Sequence, residues 1–503
     1  MACCWSVNFT VSFILGVRCA TVIPFAPYGS AIIAWTQKTL HPLLPLFLLL
    51  DFQCRGNTNA RNIVLIAVSL LFYTWGSSKH LIILILFGIL NFIFGKFLQN
   101  TILAQKHKNI SLTLLILFCT INILGLAYYK YLFWFTNLIA QHFETLSWLA
   151  GSVKDRELPL GISFFTFHAL SFLIDIYRGT ITEKVKPTSF LAYFFMFPHL
   201  VAGPIVRYVQ VQSDLTNRTY DKDLFMYGMY RFIIGLNKKL LIANLVAPIA
   251  DTAFQVNPEF LTAGSAWIGI IAYALQIYFD FSAYSDMAIG LAAMAGFKFS
   301  ENFNAPYTSH TVREFWRRWH ISLSSWLRDY IYIPLGGSRC STLRTYTNLV
   351  IVFFICGLWH GANVTFIVWG LYYGFFLILE RVFLENLLNK GSKVISRVYL
   401  ITTVLFGWVF FRAEDMDQAF SYALNMLQFD SFDLSILDIQ PFAAAAFITG
   451  ATIALFPLKY FSINSAVTAQ INTKLYVVNT LLLPLSILTL YFGARNPFIY
   501  FNF

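Results

Sequence analysis

From Leu43 to Tyr491 the chain returns again and again to apolar runs that approach the thickness of a bilayer. A helix needs about 20 such residues to cross the hydrocarbon core. Asn62–Trp75, Leu81–Phe97, Ser111–Phe135, Leu240–Ala253 and Ala266–Ala293 are candidates, and Tyr399–Phe411, Phe442–Phe456 and Tyr476–Tyr491 continue the series. Within hydrocarbon every backbone polar group must be satisfied by the chain itself, so runs of this length read as helices. Charged residues make up 12% of the 503, with 58% hydrophobic, where a soluble domain carries about 25% charge. The pattern therefore predicts an all-α polytopic membrane protein with about eleven transmembrane segments, not a soluble enzyme with one anchor. No fixed-period repeat and no detachable linker interrupts residues 42–503, which read as a single membrane domain. Residues 1–41 form an atypical N-terminal segment: Val11–Cys19 is short and contains Arg18, and Pro24 and Pro27 interrupt the residues after it. No signal-peptide pattern is present there.

The formal net charge is +11. No nucleic-acid recognition module accompanies it, and basic residues in cytoplasmic loops account for such a surplus in a membrane protein. The seven cysteines show no CxxC pair or Cys/His ligand spacing, so no metal site is expected. GxSxG, P-loop and HExxH motifs are likewise absent.

Polar residues inside apolar runs need protein or water around them. His168, Ser171 and Asp175 are spaced by three and four, so on a helix they share one stripe. Phe197–Arg207 contains two prolines and a glycine, which predicts a broken or re-entrant segment. Gln276, Asp280 and Tyr284 share a helical face. A lipid-facing carboxylate costs about 3 kcal/mol at a helix centre, so Asp280 should face inward or lie near an interface. Asp280 and Asp286 also keep open an ion-pathway or transporter reading.

The stretch Phe279–Trp369 concentrates the unusual chemistry. Lys298–Arg344 has seven basic residues against three acids. If Val312–Tyr330 is one helix, Arg313, Arg317, His320, Ser324 and Arg328 form one basic face. Phe315, Trp319, Leu323 and Trp326 form an aromatic and aliphatic one, as in a helix lying in the interface. The basic face suits a phosphate-rich donor or, equally, anionic headgroups. His360 lies in Cys356-Gly-Leu-Trp-His-Gly-Ala-Asn363 within an oily run. Trp359, Gly357 and Gly361 give it a tight setting with close backbone approach, and Asn363 is a nearby polar group. A histidine there is either hydrogen-bonded to a neighbouring helix or a base that takes a proton near neutrality.

Several ordered blocks resemble the membrane-bound O-acyltransferase family, and most closely its bacterial alginate O-acetyltransferase branch. They are Gly161-Ile-Ser-Phe-Phe-Thr-Phe-His-Ala-Leu-Ser171, Ile174-Asp-Ile-Tyr-Arg178, Pro198-His-Leu-Val-Ala-Gly-Pro204, Gln276–Gly290, Phe303-Asn-Ala-Pro-Tyr307, Phe315–Gly336, Leu358–Asn363 and Phe498–Phe503. The resemblance covers residues 42–503. It implies helices around a central tunnel, with short interfacial or re-entrant helices, in a thinned part of the membrane. It implies catalytic roles for His360 and His320, with Arg313, Arg317, Arg328, Asn363, Trp359 and Asp280 as candidates for binding or orienting the donor. It further implies acetyl-coenzyme A as a cytoplasmic acyl-donor substrate with no bound cofactor. The implied setting is a multi-pass protein of the bacterial inner membrane, working with periplasmic acetyl-transfer partner proteins on an exopolysaccharide such as alginate. A transporter of polysaccharide precursors or ions, and a scaffold of an export complex, are the competing classes.

Overall fold

The computed structural model describes residues 43–103, 108–149, 152–429, 432–456 and 473–492. The expected atypical start and the Phe498–Phe503 block lie outside the described residues. Among those described, every regular element is a helix. Among the described residues seven helical stretches are long and apolar enough to cross a membrane, and shorter apolar helices accompany them at Leu43–Gln53, Ile162–Tyr177, Pro441–Leu455 and Val477–Thr489. The chain is thus a multi-pass membrane protein of all-helical class.

Two buried apolar clusters run through it. One gathers aromatic residues from Phe164 to Tyr422, and the other is built mainly from the first half of the chain, Phe47 to Phe297. Ala263–Met294 is buried along most of its length and joins them. Lys222–Lys238 packs against it very closely: a Cβ on Gly228 would meet the backbone of Gly290 and Met294. Small residues at such crossings let helices approach without lost packing.

The two carboxylates of Ala263–Met294 are paired with cations. Arg231 donates to Asp286 at 2.9 and 2.6 Å and to Glu301 at 2.7 and 2.5 Å. Lys238 lies 2.7 Å from the same Asp286, and Lys239 pairs with Asp280. Asp280 therefore faces protein, as its lipid-transfer cost requires. Both carboxylates on which an ion pathway would rely are tied to fixed cations.

The segment with two prolines and a glycine is broken as expected. Pro187–Phe195 ends at Met196, Phe197–Leu200 makes one turn, and a bend at 201–203, with Gly203 at φ 100°, leads on to Arg207. Ser111–Phe135 differs from expectation, because the helix Lys108–Lys130 stops and a second one, Leu132–His142, begins after Tyr131. A larger correction concerns 312–330. It is not one interfacial helix but two short ones, Val312–Arg318 and Ile321–Leu327, followed by a π-turn at Arg328–Tyr332. His320 separates them in a left-handed conformation, φ 43°. Phe315, Trp316, Trp319 and Trp326 are all buried, so the segment is threaded into the body of the protein.

Candidate active site

His360 is the last residue of the helix Thr342–His360. The next helix, Val364–Leu379, folds back against it. The pair can touch because a Cβ on Gly357 would meet the carbonyl of Phe366, and one on Gly361 would meet the Phe366 ring. The close approach expected around His360 is therefore real. Its ring is 4% exposed and set among Trp359, Trp369 and Phe411, with centroids at 4.8, 4.9 and 5.0 Å.

A helix end leaves its last carbonyls without partners inside the helix. Here the end of Lys108–Lys130 supplies them. Tyr131 donates its hydroxyl to Leu358 O at 2.8 Å, and Lys130 Nζ donates to Trp359 O at 2.5 Å and His360 O at 3.3 Å. Ser163 Oγ lies 3.5 Å from the same ammonium. The sequence reading does not single out Lys130. A lysine inside the apolar run Ser111–Phe135 is the available signal, since an intramembrane cation must have partners.

His320 reaches the same place from the other side. Its ring is 1% exposed, packs edge-on to Phe281 at 4.6 Å and lies 6.1 Å from Trp359. Trp359 is thus flanked by both histidines. Burial pushes the His320 imidazole down to about 3, so the ring is neutral at ordinary pH. Nδ1 of His320 lies 3.2 Å from Asn302 Oδ1. Asn302, fully buried, precedes the Phe303-Asn-Ala-Pro-Tyr block and carries no separate sequence signal.

The break at His320 divides the expected basic face. Arg313 pairs with Glu385 at 2.8 Å, and Arg317 is exposed. Arg328 joins a different group, in which Arg328 Nε and Arg207 Nη1 bind the Asp329 carboxylate at 2.6 and 2.8 Å. Arg178 Nη2 donates to Asp329 O at 3.1 Å. Burial alone would raise the Asp329 carboxyl, but hydrogen bonds from Arg328 and Arg207 hold it below the usual carboxylate range. The guanidinium groups of Arg178 and Arg207 lie 5.2 and 4.9 Å from the Tyr330 ring centre, a cation–π distance. Tyr330 in turn donates to Asp175 at 2.8 Å, which accounts for one member of the His168–Ser171–Asp175 stripe.

A ladder of rings connects this arginine group to His360. Tyr330 lies 5.0 Å from Trp326, Trp326 stacks on Phe167 at 4.0 Å, and Phe167 stacks on Trp359 at 5.5 Å. Asn363 does not belong to it. Its Oδ1 caps the helix after His360 by accepting from Thr365 N at 3.1 Å, and its Nδ2 donates to Glu414 O at 2.7 Å. Both ends of that side chain are thus bonded within the protein. Asp280, held by Lys239, is likewise committed. Among the described residues no group of three or more His, Cys, Asp or Glu is placed to hold a metal ion.

The model of the membrane-bound O-acyltransferase family matches residues 162–415, which include both histidines and the whole ladder. The chain is 40% identical over 395 residues to the probable alginate O-acetylase of Azotobacter vinelandii, covering 78% of each protein. It is 32% identical over 495 residues to the peptidoglycan O-acetyltransferase of Helicobacter pylori, covering 87% of this chain and 91% of that one. A teichoic acid D-alanyltransferase of Bacillus subtilis is 28% identical over 273 residues, covering 50% of this chain and 68% of that relative. Two buried histidines against one tryptophan, in a helical membrane body matched by this family and these relatives, lead to one conclusion: the chain is a member of the membrane-bound O-acyltransferase family, and an O-acyltransferase.

Proposed function

We propose that this enzyme passes acetyl groups from acetyl-coenzyme A, supplied from the cytoplasm, to an exopolysaccharide such as alginate, and that it does so in the bacterial inner membrane with periplasmic partner proteins. The observation that carries the reading is the convergence of His360 and His320 on Trp359. The names of the relatives favour acetyl transfer to a polysaccharide over D-alanyl transfer, because the alginate O-acetylases are the more similar in sequence.

In this reading His360 is the general base. It takes the proton of an acceptor hydroxyl as that oxygen bonds to the thioester carbonyl carbon. The carbon–sulfur bond then breaks, and the departing thiolate recovers the proton. General-base assistance of this kind contributes about 10² to 10⁴-fold. His320 orients the reacting groups beside Trp359. Arg207 and Arg328 share the carboxylate of Asp329, and Arg178 donates to the backbone carbonyl of the same residue. That excess of guanidinium over carboxylate favours a donor carrying phosphates, with the acyl end directed along the ring ladder towards His360. Donor binding is thereby assigned to a different set of arginines than one helical face of 312–330 suggested. The transporter reading is weakened by the pairing of Asp280 and Asp286 with lysine and arginine.

Membranes containing the protein, given acetyl-labelled coenzyme A with polysaccharide and periplasmic extract, test the reading. Label should reach the polymer, and His360→Ala should reduce transfer by about 10²-fold or more at unchanged protein level. Transfer that persists in His360→Ala overturns it. Dispensability of both histidines is the outcome a scaffold would give.

A further inference from the structure

The hydrogen bonds around His320 fix which of its nitrogens carries the proton. Asn302 Oδ1 accepts from the backbone N–H of Ser322 at 3.1 Å and from Ser322 Oγ at 2.9 Å. The backbone donor identifies that atom as the amide oxygen, not the nitrogen. Its other end agrees, since Asn302 Nδ2 donates to Ser285 Oγ at 3.1 Å. Ser322 Oγ uses its single proton on Asn302 and accepts from the Ile205 N–H at 2.9 Å. Nδ1 of His320 therefore faces two oxygens, Asn302 Oδ1 at 3.2 Å, which only accepts, and Ser322 Oγ at 3.4 Å, whose proton is turned to the nearer Asn302. A neutral imidazole placed so carries its hydrogen on Nδ1 and a lone pair on Nε2.

The backbone around the ring is fixed by the same residue. The carbonyl of Asn302 accepts from Ile321 N at 2.9 Å, and Asn304 N donates to Arg318 O at 2.9 Å. The loop thus holds both sides of the left-handed turn at His320, and one asparagine sets both the position and the tautomer of the ring.

We infer that Asn302 is a positioning residue that holds His320 as its Nδ1–H tautomer, so that His320 offers a lone pair at Nε2 and recognises a hydroxyl group. This rests on the reading that His320 belongs to the acyl-transfer site. It sharpens that reading by choosing the partner. A thioester carbonyl, or the oxyanion formed from it, only accepts hydrogen bonds and cannot be held by a lone pair. A sugar acceptor carries further hydroxyls beside the one whose proton goes to His360, and one of these donates such a bond. His320 then belongs to the acceptor half of the reaction and leaves charge on the carbonyl oxygen to other groups.

The test is solid-state nitrogen NMR of the full-length protein in lipid bilayers, with labelled histidine and the His320 signals assigned by their loss in His320→Gln. The expected result is a protonated Nδ1 and an unprotonated Nε2. Asn302→Asp keeps an acceptor at the same position and should keep that signature. Asn302→Leu should lose it and reduce turnover at least about tenfold, with the KM for acetyl-coenzyme A unchanged. A protonated Nε2 in the unaltered protein overturns the inference, and so does an Asn302→Leu variant with the original tautomer and turnover. Because the tautomer is read without catalysis, failure of the acyl-transfer reading appears separately, as activity retained in His320→Ala.

Discussion

The ammonium of Lys130 lies 3.3 Å from the carbonyl oxygen of His360 and closer still, 2.5 Å, to that of Trp359. A cation from one helix thereby closes the end of another, at the residue proposed to move the proton. Donors at helix-terminal carbonyls also satisfy groups the helix itself leaves open. Lys130→Met removes the donor and leaves carbonyls without partners. Each such bond contributes about 1 kcal/mol and two carbonyls lose theirs, so its melting temperature in detergent should fall clearly. Acetyl transfer should drop more than the loss of folded protein explains. Tyr131→Phe removes one neutral bond, about 1 kcal/mol, and should be the milder change in both assays.

The divided arginines give a contrast in donor binding. Arg207→Gln removes a guanidinium from the group at Asp329 and Tyr330. It should raise the KM for acetyl-coenzyme A several-fold, most at low salt, with little change in kcat. Arg313→Gln removes a cation already paired with Glu385 and should leave that KM unaltered. Steady-state kinetics on the two variants decide between the arrangement in space and the single helical face.

Burial of His320 has a consequence for acid stability. Its folded-state value is about 3, against about 6.5 in an unfolded chain. Below about pH 6.5 the unfolded chain binds a proton that the folded ring does not, so stability declines as pH falls from about 6.5 towards about 3. Between pH 7 and pH 5 the melting temperature of the unaltered protein should fall further than that of His320→Gln, as thermal denaturation at a series of pH values will show.

Gly357 supplies a packing test. Its α-carbon faces the backbone of Phe366, leaving no space for a methyl group. Gly357→Ala should push the two helices apart, at about 1–3 kcal/mol for an overpacked core. Melting temperature should fall and activity with it, since His360 sits one turn further on the same helix.

Much of this site is legible in the residues themselves. His360 stands out because a histidine in an apolar run needs a reason, and Gly357 and Gly361 announce close approach. The break after Phe195 follows from its prolines. What sequence periodicity misplaces is Val312–Tyr330. A repeat of three and four carries no information about a turn imposed from elsewhere in the chain, and here Asn302 grips both the ring and the backbone of the break. Once the helix is broken, Arg313 and Arg328 part company and Arg328 meets Arg207 and Arg178, which come from segments more than a hundred residues earlier. The helix cap at Asn363 is legible too. A polar residue just after a helix end is often a cap for the next helix, and this one is.

The left-handed backbone at His320 sets strain against packing at a single position. An L-residue with a Cβ pays on the order of 1 kcal/mol to stand in that conformation, and glycine pays nothing. Glycine there would relieve the strain, but it would also empty the space where the ring packs on Phe281 and Trp359, and a buried side chain lost to a small one costs about 2–5 kcal/mol. The turn at 320 is therefore held open by the packed ring itself: the imidazole that the site needs is also what makes its strained backbone worth keeping.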